Sequence, residues 1–83
     1  MSKVSKTLTV EYFAVLREQA GKDSEAVETF AETARDLFAE LDVRYGFPAV
    51  SSMKVAINDE FSVWNAALKD GDTVVFIPPV AGG

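Results

Sequence analysis

The chain has 83 residues, enough for one small domain and too few for a second domain with its own core. Its formal charge is −5 and its eight lysines and arginines are scattered, which argues against nucleic-acid binding. It contains neither cysteine nor histidine, so disulfides, thiolate nucleophiles, Cys/His zinc sites and imidazole catalysis are excluded. Because it shows no long apolar run or signal-peptide pattern, we expect no membrane span and a cytoplasmic location.

The first part of the chain predicts two strands joined by a short helix. Residues 7–13 alternate apolar and polar side chains, as in a half-buried strand, and Phe13 falls on the polar side of that alternation. Residues 14–20 are predicted to form a short helix that ends at Gly21. Residues 24–30, rich in Val, Thr and Phe, predict a second strand that pairs back on the first.

The strongest helix signal spans residues 34–45. Thr33 is a suitable N-cap, and Asp36 lies close to the positive end of the helix. Gly46 suits a left-handed C-cap, and Pro48 prevents the helix from continuing. One apolar stripe at helical spacing predicts the buried side, and it contains Ala34, Leu37, Phe38, Leu41 and Tyr45.

The remainder predicts three further strands. Residues 53–57 form a short strand, residues 58–60 a turn, and residues 61–64 a brief edge strand. Residues 69–72 are a strong turn signal. Residues 73–77 are almost continuously apolar, which is typical of a central strand covered on both faces, or covered on one face and bound by a partner on the other.

This order of elements predicts an α+β domain with one main helix packed on a mixed sheet of four or five strands. We place the domain at residues 1–77 and an extended tail at residues 78–83. The tail reads Pro78-Pro79-Val80-Ala81-Gly82-Gly83. The two prolines cannot donate sheet hydrogen bonds and hold the chain extended, so the last strand ends there. Two glycines have no side chains, so the terminal carboxyl group can enter a channel too narrow for any Cβ.

Three segments resemble the small subunits of molybdopterin synthase. They are Phe-Ile-Pro-Pro-Val-Ala-Gly-Gly at 76–83, Leu-Lys-Asp-Gly-Asp-Thr-Val at 68–74 and Val-Glu-Tyr-Phe-Ala-Val-Leu-Arg-Glu at 10–18. The resemblance covers nearly the whole chain in length and element order. It is strongest over residues 68–83 and weaker over residues 24–52. It implies a ubiquitin-like β-grasp fold, in which the first and last strands pair in parallel at the centre of the sheet.

The resemblance also implies a function in molybdenum cofactor biosynthesis. An adenylating enzyme would use ATP to activate the carboxylate of Gly83, which a sulfur donor would convert to a thiocarboxylate. The tail, residues 78–82, would insert into the large subunit, where the sulfur is transferred to cyclic pyranopterin monophosphate. The chain would then be a non-catalytic subunit that binds no cofactor itself, in a heterotetramer of two small and two large subunits.

The resemblance further implies a hydrophobic docking patch on the sheet, formed by Phe13, Phe61 and Ile77. The strand alternation agrees for Phe13 and Ile77, which have the opposite parity to the inward residues Tyr12 and Phe76. Exposed aromatic residues near a functional tail are candidate anchors of an interface. The alternative is that these side chains pack under the short helix or a loop.

Other readings remain open from the sequence. A similar tail serves ubiquitin-like modifiers, which are joined to lysines through the terminal carboxyl, and carriers for thiazole or tRNA thiolation. The Pro-Pro pair favours the molybdopterin synthase role, and a plain interaction domain is the last alternative. Asp59-Glu60 and Asp70 with Asp72 suit turn hydrogen bonding better than metal binding. Trp64 is expected to pack in or beside the core and not to stack on a cofactor.

Overall fold

The computed structural model describes residues 5–47 and 53–79 of the chain. Predictions for Pro48 and for Val80, Ala81, Gly82 and Gly83 therefore lie outside the described residues. Within them, five strands and two helices follow in the order β1 (Lys6–Tyr12), α1 (Val15–Ala20), β2 (Ser24–Thr29), α2 (Ala34–Tyr45), β3 (Lys54–Ile57), β4 (Glu60–Ser62) and β5 (Thr73–Ile77).

The five strands form one mixed sheet with the spatial order β2-β1-β5-β3-β4. β1 and β5 pair in parallel at the centre, with Val10 beside Val74 and Tyr12 beside Phe76. The other three pairs are antiparallel. The predicted α+β class, the mixed sheet and the parallel central pair are all confirmed.

The core lies between α2 and one face of the sheet, which we call the inner face. Ala34, Leu37 and Leu41 on α2 are fully buried, as the predicted apolar stripe requires. They pack in one cluster with the inward side chains of the strands, which include Leu8, Val10, Tyr12, Val55, Val74 and Phe76. Each fully buried aliphatic or Phe side chain stabilises such a core by about 1.5–3 kcal/mol.

Both predicted ends of α2 are confirmed. The Thr33 hydroxyl oxygen accepts a hydrogen bond of 3.2 Å from the Asp36 N–H, which satisfies one free donor of the first turn. Gly46 adopts a left-handed conformation with φ of 69° and donates its N–H to the carbonyl of Asp42. α2 is therefore fixed over the sheet by its own sequence signals.

The predicted boundaries of β4 are wrong. Asn58 and Asp59 have φ of 53° and 72°, so these two residues make the whole turn between β3 and β4. Glu60 belongs to β4, which ends at Ser62, and Trp64 lies in the following turn. The sequence prediction placed Glu60 in the turn because this residue is polar. Two left-handed residues complete the turn without a third, and Glu60 is polar because it is an exposed residue of the strand. Elsewhere the predicted strand ends agree to within one residue, and those of β5 are exact.

Candidate functional site

The opposite face of the sheet, which we call the outer face, carries no helix in the described part of the chain. Because paired residues point to the same side of a sheet, the register defines one outward row. In this row Glu11 lies beside Val75, Val75 beside Ala56, and Ala56 beside Phe61. Val75 and Ala56 are buried but lie outside the core cluster, so neighbouring outer-face side chains cover them.

Of the three predicted docking residues, Phe61 and Ile77 belong to this face by strand register, and Phe13 continues the outward alternation of β1. Phe13 directly follows β1 and is 49% exposed, and Phe61 on β4 is 75% exposed. Ile77 at the end of β5 is half-buried and lies beside Lys54 of β3. None of the three belongs to the core cluster, so they do not pack under α1 or α2 as core residues. Docking through them remains a prediction.

The structure adds a residue that the sequence reasoning missed. Val63, one residue after β4, is 65% exposed and lines the same hollow as Phe61. Apolar and polar side chains alternate over residues 61–63, beyond the end of β4. This alternation could have identified Val63 from the sequence. We define the outer apolar patch by the outward apolar residues Phe13, Ala56, Phe61, Val63, Val75 and Ile77.

Two open hollows lie on either side of β5. One has a volume of about 450 Å³ and is lined by Glu11, Tyr12, Phe13, Ala14, Arg17, Asp23 and Ser24. The other has a volume of about 420 Å³ and is lined by Lys54, Val55, Phe61, Ser62 and Val63. Each hollow thus combines a residue of the outer apolar patch with at least one charged side chain.

The tail leaves the sheet between these hollows. β5 ends at Ile77, at the same end of the sheet as Phe13 because β1 and β5 are parallel. Pro78 is buried and Pro79 is exposed, so the packed part of the domain includes Pro78. The predicted site residues Val80, Ala81, Gly82 and Gly83 follow and lie outside the described residues.

A strained turn holds the backbone beside Phe13. Ala14 has φ of 53° and ψ of −125°, and the Leu16 N–H donates to the Phe13 carbonyl at 3.0 Å. These angles belong to the first central residue of a type II′ turn, which glycine normally occupies. A non-glycine residue in such a region costs on the order of 1–3 kcal/mol and persists only where the surroundings enforce it. Leu16, which is fully buried and packs in the core, holds the turn in this conformation.

A polar network on the inner face joins β1, β2 and α2. One oxygen of Glu25 accepts hydrogen bonds from the hydroxyls of Tyr12, at 2.5 Å, and Tyr45, at 2.6 Å. The Lys22 ammonium lies 3.4 Å from the other oxygen and 5.6 Å from the centre of the Tyr45 ring. The sequence analysis missed this network because 13 and 20 residues separate Glu25 from the two tyrosines.

The network shifts the ionisation of its members. Burial alone raises the pKa of Glu25, but the hydrogen bonds from Tyr12 and Tyr45 and the charge of Lys22 outweigh burial and lower that pKa below 4.5. The pKa of Tyr12 is raised, first by burial and then by its hydrogen bond to the Glu25 carboxylate. Glu25 is therefore held as a carboxylate that ties the end of α2 to the sheet.

The other candidates from the sequence have structural roles. Asp70 accepts a hydrogen bond from the Thr7 N–H at 2.7 Å, and Asp72 accepts one from the Lys69 N–H at 2.8 Å, which confirms their turn role. Trp64 stacks on Phe76 with ring centres 5.9 Å apart, which confirms packing against the core. Among residues 5–47 and 53–79, no three acidic side chains come together as metal ligands. No helix there is long and apolar enough to cross a membrane.

Known proteins were compared with this chain in sequence and in fold. A model of the ThiS family matches residues 10–83. The chain is 34% identical over 80 residues to the molybdopterin synthase sulfur carrier subunit of Haemophilus influenzae, an alignment that covers 92% of this chain and 99% of the relative.

Solved structures share the fold over almost their whole length. A chain described as a candidate subunit 1 of a molybdopterin converting factor from Pyrococcus furiosus superposes with a TM-score of 0.79 at 32% identity, covering 90% of this chain and 99% of that chain. A chain of the complex of subunits 1 and 2 of the Helicobacter pylori molybdopterin-converting factor superposes with a TM-score of 0.65 at 26% identity, covering 93% of this chain and 99% of that chain.

One neighbour with another name shares the architecture. The small archaeal modifier protein 1 of Methanosarcina acetivorans superposes with a TM-score of 0.78 at 24% identity, covering 96% of this chain and 99% of that chain. At that identity the likeness concerns the fold alone.

Proposed function

Because this chain belongs to the ThiS family, we propose that it is the sulfur carrier subunit of a molybdopterin synthase. Its relative from Haemophilus influenzae carries that name and aligns over 92% of this chain. The predicted resemblance to this group is confirmed by the family match and by the names of its relatives. The proposed role needs no catalytic side chain, which suits a sequence without cysteine or histidine.

The observation that carries the proposal is the position of the tail. β5 is a central strand, hydrogen-bonded to β1 on one side and β3 on the other, and it leads directly into Pro78 and Pro79. The residues that follow end in Gly82-Gly83, whose backbone has no side chains to obstruct a narrow channel. The tail that the sequence predicts would therefore begin beside the outer apolar patch.

The proposed chemistry follows from the poor reactivity of a carboxylate. An adenylating enzyme uses ATP to form an acyl-adenylate on Gly83, which releases pyrophosphate and gives the carboxyl group a good leaving group. A sulfur donor then displaces AMP and leaves a thiocarboxylate. Held on the domain, this soft nucleophile reaches its target at a high effective concentration. In each transfer the thiocarboxylate sulfur would bond to a carbon of cyclic pyranopterin monophosphate, and water would cleave the resulting thioester and return Gly83 as a carboxylate. Two such transfers would make the dithiolene.

The proposal includes a large subunit that supplies the acid–base groups. The Helicobacter pylori complex shows two subunits of a molybdopterin-converting factor bound to one another, and one of its chains shares this fold. By analogy, we place the large subunit on the outer apolar patch, in an assembly of two small and two large subunits. The adenylating enzyme is the second partner, and the proposed location is the cytoplasm.

The test is to alter the terminus and leave the domain unchanged. Removal of Gly83, or addition of one residue after it, should abolish sulfur transfer while the thermal unfolding curve is unchanged. Intact wild-type protein from native cells should show a mass gain of about 16 Da, as expected when sulfur replaces one oxygen. Addition of one residue after Met1, at the other end of the chain, is the matched control.

Two results would contradict the proposal. The first is sulfur transfer by the truncated chain at the wild-type rate. The second is a population of isopeptide conjugates between Gly83 and lysines of many proteins, without any thiocarboxylate. That second result would assign the chain to the ubiquitin-like modifiers instead.

A further inference from the structure

Two opposite charges flank the outward side chains of β5. Glu11 lies beside Val75 across the β1–β5 pair, and Lys54 lies beside Ile77 across the β3–β5 pair. Since neighbours in register share a face, both charged side chains belong to the outer face. The apolar centre of this face is therefore bordered by a carboxylate on the β1 side and an ammonium group on the β3 side.

These two charges are not neutralised within the described part of the chain. Across residues 5–47 and 53–79, neither side chain forms an ion pair or a hydrogen bond. β5 lies between their strands, so two strand spacings, about 9.5 Å, separate them across the sheet. Glu11 is half-buried and Lys54 is exposed.

The two hollows beside β5 differ from one another in charge, in the same way as the two borders of the patch. In the hollow beside Phe13, Arg17 is already paired with Asp23 at 3.6 Å, so Glu11 is its uncompensated charge. In the hollow beside Phe61, Lys54 is the charged residue. One side of the outer face is thus acidic and the other basic.

Docking on this face removes water from both groups. A charge that loses its water is costly unless the partner supplies an opposite charge or a hydrogen bond, whereas like charges disfavour a wrong orientation. We infer that the large subunit contacts Glu11 with a basic side chain and Lys54 with an acidic side chain, and that these two contacts fix its orientation across β5. This inference rests on the proposed function.

The consequence concerns the tail. It leaves the carboxyl end of β5, between the acidic and the basic hollow. A partner turned by half a rotation on the apolar patch would meet like charges at both hollows. The opposite charges therefore favour the single orientation in which the tail meets the active site of the partner.

The experiment measures the Kd of the full chain for the large subunit by titration calorimetry. Glu11→Lys and Lys54→Glu should each weaken binding at least about tenfold, because each places like charges in contact. The double variant should bind more weakly than either single variant. Glu11→Gln, which keeps the shape of the side chain, should lose affinity to a smaller extent, and thermal unfolding should show that all four variants are folded.

Matched controls carry the same charge changes elsewhere. Asp42→Lys lies on α2, and Lys69→Glu lies in the turn before β5 at the other end of the sheet. Both should bind within about twofold of wild type, because neither residue lies among the residues of the outer apolar patch or its two hollows. When the salt concentration rises from about 0.05 M to 0.5 M, the wild type should lose more affinity than the doubly neutral variant Glu11→Gln/Lys54→Gln. Salt screens the charges of Glu11 and Lys54 in the wild type, and the variant does not carry them.

The outcomes separate this inference from the proposed function. If the charge variants bind like their controls while Phe13→Asp abolishes binding, the apolar docking stands and the charge-directed orientation is wrong. If the wild-type chain does not bind the large subunit at all, both proposals are wrong. A salt dependence equal in wild type and the doubly neutral variant would also overturn the inference.

Discussion

The two faces of the sheet use the same strands but treat polar groups in opposite ways. On the inner face, Glu25 and Thr29 have hydrogen-bond partners on other elements, and no buried side-chain polar atom in the described residues lacks one. On the outer face, Glu11 and Lys54 have no such partner within the described part of the chain, and they border an apolar patch. The inner face is complete within the domain, whereas the composition of the outer face suits a second protein.

The comparison predicts that inner-face substitutions lower stability and outer-face substitutions lower binding. The largest effect on stability is expected for Phe76→Ala. Phe76 is fully buried and contacts the rings of Phe38 and Trp64, with centres 5.1 and 5.9 Å away. Loss of its ring should reduce the free energy of unfolding by about 3–5 kcal/mol, measured by urea denaturation.

A control distinguishes this effect from a general weakness of β5. Val75→Ala changes the neighbouring residue, which points to the outer face and lies outside the core cluster. It should cost clearly less stability than Phe76→Ala. Equal losses would mean that the outer face contributes to the fold as much as the inner face does.

Phe13→Asp is expected to have the opposite effect to Phe76→Ala: it should weaken binding and leave stability almost unchanged. Because this side chain is 49% exposed and outside the core cluster, the free energy of unfolding should change by less than about 1 kcal/mol. Binding to the large subunit should weaken at least about tenfold, as for an aromatic anchor at an interface. Calorimetric titration and thermal unfolding of the same samples give both numbers.

Phe30→Asp is the matched control for this prediction. Phe30 is 56% exposed and follows β2, at the end of the sheet away from the tail. The same substitution there should leave binding unchanged. If Phe13→Asp instead lowers stability and binding in parallel, Phe13 belongs to the core and the division between the two faces fails.

The smallest predicted effect comes from Glu25 and depends on pH. Because the folded state lowers the pKa of this carboxyl, the ionised form stabilises the fold above the unfolded pKa, close to 4.5. That contribution is lost as the pH falls below this value and through the lower folded pKa. Glu25→Gln should cost about 1 kcal/mol at neutral pH, and less in acid, where wild-type Glu25 is protonated as well.

Urea denaturation between pH 3 and pH 7 measures this convergence of the two proteins. Glu28→Gln, on the outer side of the same strand, is the control because its carboxyl accepts one exposed hydrogen bond, from Ser5, among the residues that the structure describes. A constant difference between wild type and Glu25→Gln across the whole pH range would show that the inner network does not depend on the charge of Glu25.

Local signals in the sequence predicted most of the fold. The apolar stripe and caps of α2 act within a few residues of one another, so Thr33 and Gly46 were identified correctly. The outward direction of Phe13 and Ile77 also follows from alternation within one strand. The structure agrees for the caps and for Ile77, because each rests on short-range geometry.

The features that were missed depend on pairing between distant parts of the chain. Nothing near Glu25 in the sequence indicates that Tyr12 and Tyr45 approach it, since the register of β1 and β2 and the position of α2 decide this. The same holds for Glu11 and Lys54. They border the outer apolar patch from opposite sides only because β5 lies between their two strands.

The central position of β5 has a mechanical consequence. A pull on the tail along the strand axis loads the ladders to β1 and β3 together, so many hydrogen bonds share the force. An edge strand would instead peel away one bond at a time. Withdrawal of the tail from a tight channel should therefore rupture contacts in the channel before it unravels the domain, which would leave the fold intact.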